Sequence, residues 1–216
     1  MHLKAVLFDL DGTLVDSAPD IARALRRTLK ALNKEHLVPD DVRPFIGGGA
    51  RRLLEAVLKD AFTEEAVSLF RSFYAAEPAR YSRPYDGIPE LLNELKRRGL
   101  KLAVVTNKPD EITHALLKSL NLLDYFEFVA GGDTFPEKKP SPLPVLKTLE
   151  RLSVEPKEAL LVGDTEADVA AALSAGCYAA LALWGYGAGS SLKPHFTLKS
   201  PSELLELLGH PQLGAP

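Results

Sequence analysis

The stretch Phe8-Asp9-Leu10-Asp11-Gly12-Thr13-Leu14 follows a short apolar segment, residues 3–8, with the composition of a buried strand. Gly12 lets the chain turn directly after that strand. Asp9 and Asp11 are two residues apart, so in an extended segment their carboxylates lie on the same side and repel each other unless a cation separates them. A hard divalent cation such as Mg²⁺ prefers oxygen ligands of this kind. An Asp-Gly turn whose acids only cap backbone groups has the same local pattern, so only the rest of the chain distinguishes the two interpretations.

The composition is that of an ordinary globular protein, with 216 residues of which 46% are hydrophobic and 25% charged. This length allows one large domain or one domain with an insertion. A formal net charge of −3 gives no reason to expect nucleic acid or a membrane surface as a partner, and no apolar run is long enough to cross a membrane. The first residues lack the pattern of a signal peptide, and the single cysteine, Cys177, is expected to be a buried apolar side chain. We therefore expect a cytoplasmic protein.

Two kinds of pattern divide the chain. Residues 16–85 have apolar side chains at helical spacing and no strand pattern. From residue 86 onward, helical segments alternate with short apolar strands at 102–105, 126–130, 159–162 and 178–183. This alternation predicts an α/β fold, a doubly wound (Rossmann-like) and mainly parallel sheet that also contains the first strand. We predict an α/β catalytic core of residues 1–15 and 86–216, an inserted all-helical cap domain of residues 16–85, and a frayed tail at residues 209–216.

Polar side chains follow four of the predicted strands. In an open parallel sheet, ligands bind beyond the carboxyl ends of the strands, so these side chains are expected to converge on one rim. In chain order they are Asp9 and Asp11, then Thr106 and Asn107, then Lys138 and Lys139, and finally Asp164 with Asp168 one helical turn later.

These residue types suit phosphoryl transfer. A carboxylate such as Asp9 can form an acyl-phosphate, and Asp11 can act first as general acid and then as general base. Asp164 adds negative charge that would hold Mg²⁺. The hydroxyl of Thr106 and the backbone amides around Asn107 can donate to phosphate oxygens. Lys139 can neutralise charge on the transferring group, whereas Lys138 is expected to be solvated.

The four motifs together resemble those of the haloacid dehalogenase-like hydrolase superfamily, in the branch that carries a helical cap after the first motif. They are Asp9-Leu10-Asp11-Gly12-Thr13, Thr106-Asn107, Lys139-Pro140, and Gly163-Asp164 with Asp168. The resemblance implies a nucleophile at Asp9, a general acid/base at Asp11 and a catalytic Lys139. It implies phosphate or substrate binding by Gly12, Thr13, Thr106 and Asn107. It implies metal binding by Asp9, Asp11 (through its backbone carbonyl) and Asp164, with Asp168 supporting either the metal or Lys139.

Further segments are similar to those of phosphoglycolate phosphatases within this superfamily, whereas dehalogenases lack a residue equivalent to Asp11. They include Asp16 to Asp20, Gly47 to Arg51, Gly131 to Pro136 and Trp184 to Gly187. The similarity implies a Mg²⁺-dependent hydrolysis of 2-phosphoglycolate, a small phosphorylated metabolite, through an aspartyl-phosphate.

Alternatives to this substrate stay open at the level of the sequence. They are another small phosphate ester, pyrophosphate, or a phosphosugar mutase similar to β-phosphoglucomutase. Arg51 follows three glycines in the cap and is a candidate for binding a substrate carboxylate, with exposure to solvent as the alternative. The oligomeric state is left open as well, as monomer or homodimer.

Overall fold

A central parallel sheet forms the frame of the computed structural model, which describes residues 2–187 and 189–209. The strands of the chain are β1 (Ala5–Phe8), β2 (Val15–Asp16), β3 (Arg83–Pro84), β4 (Lys101–Val105), β5 (Phe128–Ala130), β6 (Ala159–Gly163), β7 (Tyr178–Ala182) and β8 (Phe196–Leu198). Six of them form one sheet in the order β5-β4-β1-β6-β7-β8, and every neighbouring pair in it is parallel. The predicted doubly wound α/β fold is confirmed.

Helices cover both faces of this sheet. Among the described residues, the α-helices are α1 (Ala18–Ala31), α2 (Ala50–Leu58), α3 (Glu64–Ala76), α4 (Ile88–Arg97), α5 (Asp110–Ser119), α6 (Leu143–Leu152), α7 (Glu166–Ala175) and α8 (Pro201–Gly209). Val6 and Phe8 pack on one side with α4, α5 and α8, while Ala5 and Leu7 pack on the other side with α6 and α7. Because successive side chains of a strand point to opposite faces, an unbroken apolar strand such as β1 is buried on both sides.

The helices α1, α2 and α3, called the cap helices below, enclose a hydrophobic cluster of their own. Ile21, Leu25 and Leu29 of α1 are buried in it, as their helical spacing predicts, and they meet Phe70 and Tyr74 of α3. Helix α3 also contacts α5 of the core, so the cap helices lie over one end of the sheet.

Two predictions about secondary structure are wrong. Residues 16–85 are not free of strands, because β2 and β3 form a short antiparallel pair in which Val15 is opposite Pro84. This pair joins the points where the chain leaves the core and returns to it, and two residues are too few to show a strand pattern. Strand β8 was also missed, since its three residues lie between loops.

Two further expectations concern the chain as a whole. Among the described residues, no helix is both long and apolar enough to cross a membrane. The expected fraying at residues 209–216 lies outside the described part of the chain, except for Gly209.

Candidate active site

The carboxyl ends of β1, β4 and β6 lie side by side and carry the polar residues of three predicted motifs. Asp9 follows β1, Thr106 follows β4 and Asp164 follows β6, and all three are buried. Strand β1 lies between β4 and β6 in the sheet. A crevice at such a position, where successive connections leave in opposite directions, is the usual ligand site of an open parallel sheet.

Lys139 connects two of the carboxylates. Its Nζ lies 2.9 Å from Asp9 Oδ1, 2.5 Å from Asp168 Oδ1 and 2.6 Å from the carbonyl oxygen of Val105. The other oxygen of Asp168 accepts hydrogen bonds from the backbone N–H and hydroxyl of Thr165, 3.0 and 2.7 Å away, at the start of α7. Asp168 therefore has two structural tasks, to fix the Lys139 ammonium and to cap a helix.

Asp164 is held in place by the loop that follows β7. Its Oδ2 accepts hydrogen bonds from the backbone N–H groups of Tyr186 at 2.8 Å and Gly187 at 3.2 Å, and its Oδ1 accepts one from the Thr13 hydroxyl at 3.2 Å. Trp184 of the same loop donates its ring N–H to the carbonyl oxygen of Thr13, 2.9 Å away. Thr13 thus orients Asp164 and contacts the loop in this structure.

The charges of the site do not balance. Four carboxylates, those of Asp9, Asp11, Asp164 and Asp168, face the two ammonium groups of Lys108 and Lys139. The formal excess is two negative charges in a buried place, which is the charge that one divalent cation would neutralise.

Burial and, after it, the neighbouring charges shift the pKa values of these residues. Burial raises the pKa of Asp9 to about 8, with the charges of Asp168 and Asp164 acting in the same direction and Lys139 opposing them. Burial and then the charge of Asp168 raise the pKa of Asp164 to about 6. Burial alone would lower the pKa of Lys139, but the charges of Asp168 and Asp9 outweigh it and hold that pKa above its usual value.

The donor set fits a hard metal ion. Carboxylate oxygens of Asp9, Asp164 and Asp168 all lie within 4.8 Å of one another and are buried. Oxygen atoms alone, with a formal excess of negative charge, suit Mg²⁺ rather than a soft metal. The carboxylates of Asp164 and Asp168 each accept three hydrogen bonds, whereas Asp9 accepts one, from Lys139, so Asp9 has the most capacity left for a metal.

Asp11 points away from this group and towards the cap helices. Its Oδ1 accepts hydrogen bonds from the Ser17 hydroxyl at 2.5 Å and from Lys108 Nζ at 3.0 Å. Lys108 Nζ also donates to the hydroxyl of Tyr74, which is 2.7 Å away on α3. A chain of hydrogen bonds therefore runs from the first motif through Lys108 to the cap.

Asn107 holds three segments together through its side chain. Its Nδ2 donates to the carbonyl oxygens of Gly47 at 3.0 Å and Lys139 at 2.9 Å, and its Oδ1 accepts from the backbone N–H of Lys139 at 3.0 Å. The side-chain amide is thus occupied, which leaves only the backbone here for the phosphate binding expected of Asn107. Thr106 lies at the site with its hydroxyl accepting from the backbone N–H of Lys108 at 3.2 Å.

Arg51 is not brought to the other predicted residues. It is exposed on α2, lies 2.6 Å from Glu64 and 3.6 Å from Glu55, and stacks near the ring of Phe62. The alternative that the sequence allowed, exposure to solvent, is the observed one. Lys138 is exposed too, as predicted.

A pocket lies between the strand ends and the cap helices. Its lining residues are Asp9, Asp11, Ile21, Phe45, Ile46, Gly47, Gly49, Ala50, Leu53, Phe70, Tyr74, Thr106, Lys108 and Pro109. The open space inside is about 30 Å³, enough for about one or two water molecules. Sequence reasoning gave no role to Lys108 or Tyr74. Lys108 directly follows the Thr106-Asn107 motif, a signal that was available, whereas Tyr74 has the spacing of an ordinary core residue.

Comparisons with known proteins agree with this geometry. The family model described as haloacid dehalogenase-like hydrolase matches residues 6–182. A phosphoglycolate phosphatase from Aquifex aeolicus is 56% identical over 206 residues, covering 95% of this chain and 97% of that protein. Another from Thiobacillus denitrificans is 38% identical, covering 88% of this chain and 87% of that protein. The crystal structure of a predicted phosphoglycolate phosphatase from Haemophilus somnus superimposes with a TM-score of 0.83 at 32% identity, covering 96% of this chain and 99% of that one.

Proposed function

The chain belongs to the haloacid dehalogenase-like hydrolase family, and we propose that it is a Mg²⁺-dependent phosphatase that converts 2-phosphoglycolate and water into glycolate and phosphate. The observation that carries this proposal is the pair of carboxylates at one pocket, Asp9 beside Lys139 and Asp11 beside Lys108. Asp9 can attack the phosphorus atom, while Asp11 can donate and accept the proton that the reaction transfers.

In the first step, an oxygen of the Asp9 carboxylate attacks the phosphorus atom and the bond from phosphorus to the glycolate oxygen breaks. Asp11, in its protonated form, gives its proton to the departing oxygen, so glycolate leaves as an alcohol. Lys139, 2.9 Å from Asp9, places positive charge beside the nucleophile and reduces its repulsion by the anionic phosphate. The product of this step is an aspartyl-phosphate on Asp9.

In the second step, Asp11 accepts a proton from a water molecule that attacks the phosphorus atom. The bond from phosphorus to the Asp9 oxygen breaks, which releases phosphate and restores the Asp9 carboxylate. Asp11 thus acts as acid and then as base; it lines the same pocket as Asp9, where Ser17 and Lys108 hold its carboxylate.

Asp9, Asp164 and the backbone carbonyl of Asp11 would hold Mg²⁺, with Asp168 in support. When bound, the ion would supply the positive charge that the site lacks and would polarise the phosphate oxygens. Thr13, Tyr186 and Gly187 keep Asp164 oriented for that task through the three hydrogen bonds that its carboxylate accepts.

Residues 16–85 are proposed to act as a cap that opens for the substrate and closes over it. The remaining space of about 30 Å³ is too small for a phosphate ester, so the cap helices have to move before the substrate enters. Closure would exclude bulk water and bring Tyr74 back to Lys108. The short β2–β3 pair, where the chain enters and leaves the cap, is the expected hinge.

The names of the relatives support 2-phosphoglycolate as the substrate. The test is the kcat/KM of the purified protein for a panel of phosphate esters and pyrophosphate, with Mg²⁺ and after its removal by a chelator. We expect 2-phosphoglycolate to have the highest value, and activity to be lost with the chelator and to return with added Mg²⁺.

Other results would change the assignment. A higher kcat/KM for pyrophosphate or a phosphosugar would change the assigned substrate, while the proposed phosphatase reaction would stand. An isomerised phosphosugar without phosphate release would indicate a mutase. No phosphate release from any member of the panel would refute the proposal.

A further inference from the structure

Lys108 is a buried cation that the proposed phosphoryl transfer does not explain. It follows β4 at the floor of the pocket, with only 4% of its surface exposed. Burial lowers its pKa, although the nearby charge of Asp11 opposes this effect. An ammonium is costly to desolvate, so a cation kept in such a place calls for a reason beyond stability.

Lys108 has two side-chain partners at the pocket, Asp11 and Tyr74. Its Nζ contacts the carboxylate of Asp11, at 3.0 and 3.3 Å from the two oxygens, and the hydroxyl of Tyr74 at 2.7 Å. The three N–H donors of the ammonium group face three acceptor atoms, two of which belong to the single carboxylate of Asp11. The longest of these contacts, at 3.3 Å, is the one that a carboxylate entering the pocket can replace.

No other cation lines this pocket among the residues that the structure describes. The wall formed by the cap helices is mainly apolar, with Ile21, Leu53 and Phe70, and Tyr74 is its polar member. The arginine considered from the sequence, Arg51, is paired with Glu64 outside the pocket. An anionic group attached to the leaving oxygen of a substrate therefore has Lys108 as its positively charged partner.

We propose that Lys108 binds the carboxylate of the substrate and thereby makes the pocket selective for phosphate esters of small hydroxy acids. This inference rests on the proposed phosphatase function and deepens it, since it names the residue that sets the substrate class. The apolar wall around Lys108 lowers the local dielectric and strengthens its attraction for a carboxylate. The same wall is apolar except for Tyr74, so it offers few hydrogen-bond partners to further polar groups of a larger acid.

Two substrates that differ in one group test the proposal. In ethyl phosphate, a methyl group replaces the carboxylate of 2-phosphoglycolate, and the phosphate and leaving oxygen are unchanged. Lys108→Met keeps an unbranched side chain that is one atom shorter and removes the charge. We expect this variant to lower the ratio of kcat/KM for 2-phosphoglycolate to kcat/KM for ethyl phosphate by about 10- to 100-fold, as for a lost hydrogen bond between charged groups.

Lys118→Met is the matched control, because it removes an exposed lysine of α5 that does not line the pocket and should leave the ratio unchanged. Lys108→Arg keeps the charge, and we expect it to retain more of the preference than Lys108→Met does. The thermal unfolding of each variant is measured alongside. If Lys108→Met does not fold, the same ratio of kcat/KM values measured for the wild-type protein still tests the inference. A wild-type protein that shows no preference for the substrate with the carboxylate overturns it.

The outcomes separate this inference from the function on which it rests. An equal loss for both substrates in Lys108→Met would mean that Lys108 only positions Asp11, and it would overturn the inference while the phosphatase function stands. A wild-type protein that hydrolyses both substrates equally well would also overturn the inference and leave the phosphatase function standing. A wild-type protein that hydrolyses neither ester would overturn both proposals.

Discussion

Gly12→Ala places a single methyl group between the first motif and Asp164. Gly12 has a φ of +80°, a left-handed conformation that costs an alanine about 1–2 kcal/mol. The added Cβ would lie 2.9 Å from the carboxyl carbon of Asp164 and 2.9 Å from a ring carbon of Tyr186. Atoms this close must move apart, so the substitution strains the backbone and also displaces the site.

Asp164 cannot move without losing hydrogen bonds, since its carboxylate accepts one each from Tyr186, Gly187 and Thr13. Substitutions that disturb the groups around a metal ligand typically lower metal affinity by about 10- to 100-fold. We therefore predict that Gly12→Ala weakens the apparent affinity for Mg²⁺ by about this factor. The assay is phosphate release from 2-phosphoglycolate as a function of Mg²⁺ concentration.

Gly99→Ala is the matched control, because Gly99 has a φ of +77° and no atom within 4 Å of an added Cβ. Both variants should lose about 1–2 kcal/mol of stability from backbone strain, which lowers the Tm by about 2–8 °C. Only Gly12→Ala should need a higher Mg²⁺ concentration for the same activity. Equal activity of the two variants at every Mg²⁺ concentration would refute the role assigned to Asp164 and to its contact with Gly12.

Two further predictions concern stability and reactivity. The buried Asp20 accepts from the backbone N–H groups of Tyr81 and Ser82 and from the Ser82 hydroxyl, at 2.7–2.8 Å, so Asp20→Ala should cost about 3–5 kcal/mol. Urea unfolding checks this, with the exposed Asp40→Ala as control, and a loss below about 1 kcal/mol would contradict it. Burial raises the pKa of Cys177 to about 12, so at pH 8 only about one thiol in ten thousand is ionised. A thiol reagent should therefore label the native protein only as fast as it unfolds, and rapid labelling without denaturant would be the contrary result.

The frame of the fold was predictable because its strands carry unambiguous local patterns. Strands β1 and β6 are unbroken apolar runs between turn residues. In a chain where such short runs alternate with helical segments, a buried parallel strand is the structure that they indicate. The short pair β2–β3 was not predictable. Its residues become a strand only because the chain leaves and re-enters the core at one point, which is a property of the tertiary structure.

The candidate site was predictable where a residue directly follows a strand. Asp9, Thr106 and Asp164 are fixed by the ends of β1, β4 and β6, so the topology alone places them together. The contact of Tyr74 with Lys108 depends on how the cap helices dock, and no local pattern encodes docking.

Arg51 is a different case. On α2 the buried residues are Ala50, Leu53, Leu54, Val57 and Leu58, and this periodicity could have indicated that position 51 faces solvent. The helical pattern of α2 was thus sufficient to predict that Arg51 is exposed, but the prediction for Arg51 was based on its charge alone.

The central claim, that Asp9 carries the phosphoryl group during turnover, can be tested by acid quenching. The purified protein is mixed with 2-phosphoglycolate radiolabelled at phosphorus and with Mg²⁺, and the reaction is stopped with acid within one turnover. We predict label bound covalently to the wild-type protein and to Asp40→Asn, a control at an exposed aspartate, and none bound to Asp9→Asn. Label on Asp9→Asn at the wild-type level, or rapid phosphate release by that variant, would contradict the assignment of Asp9 as the nucleophile.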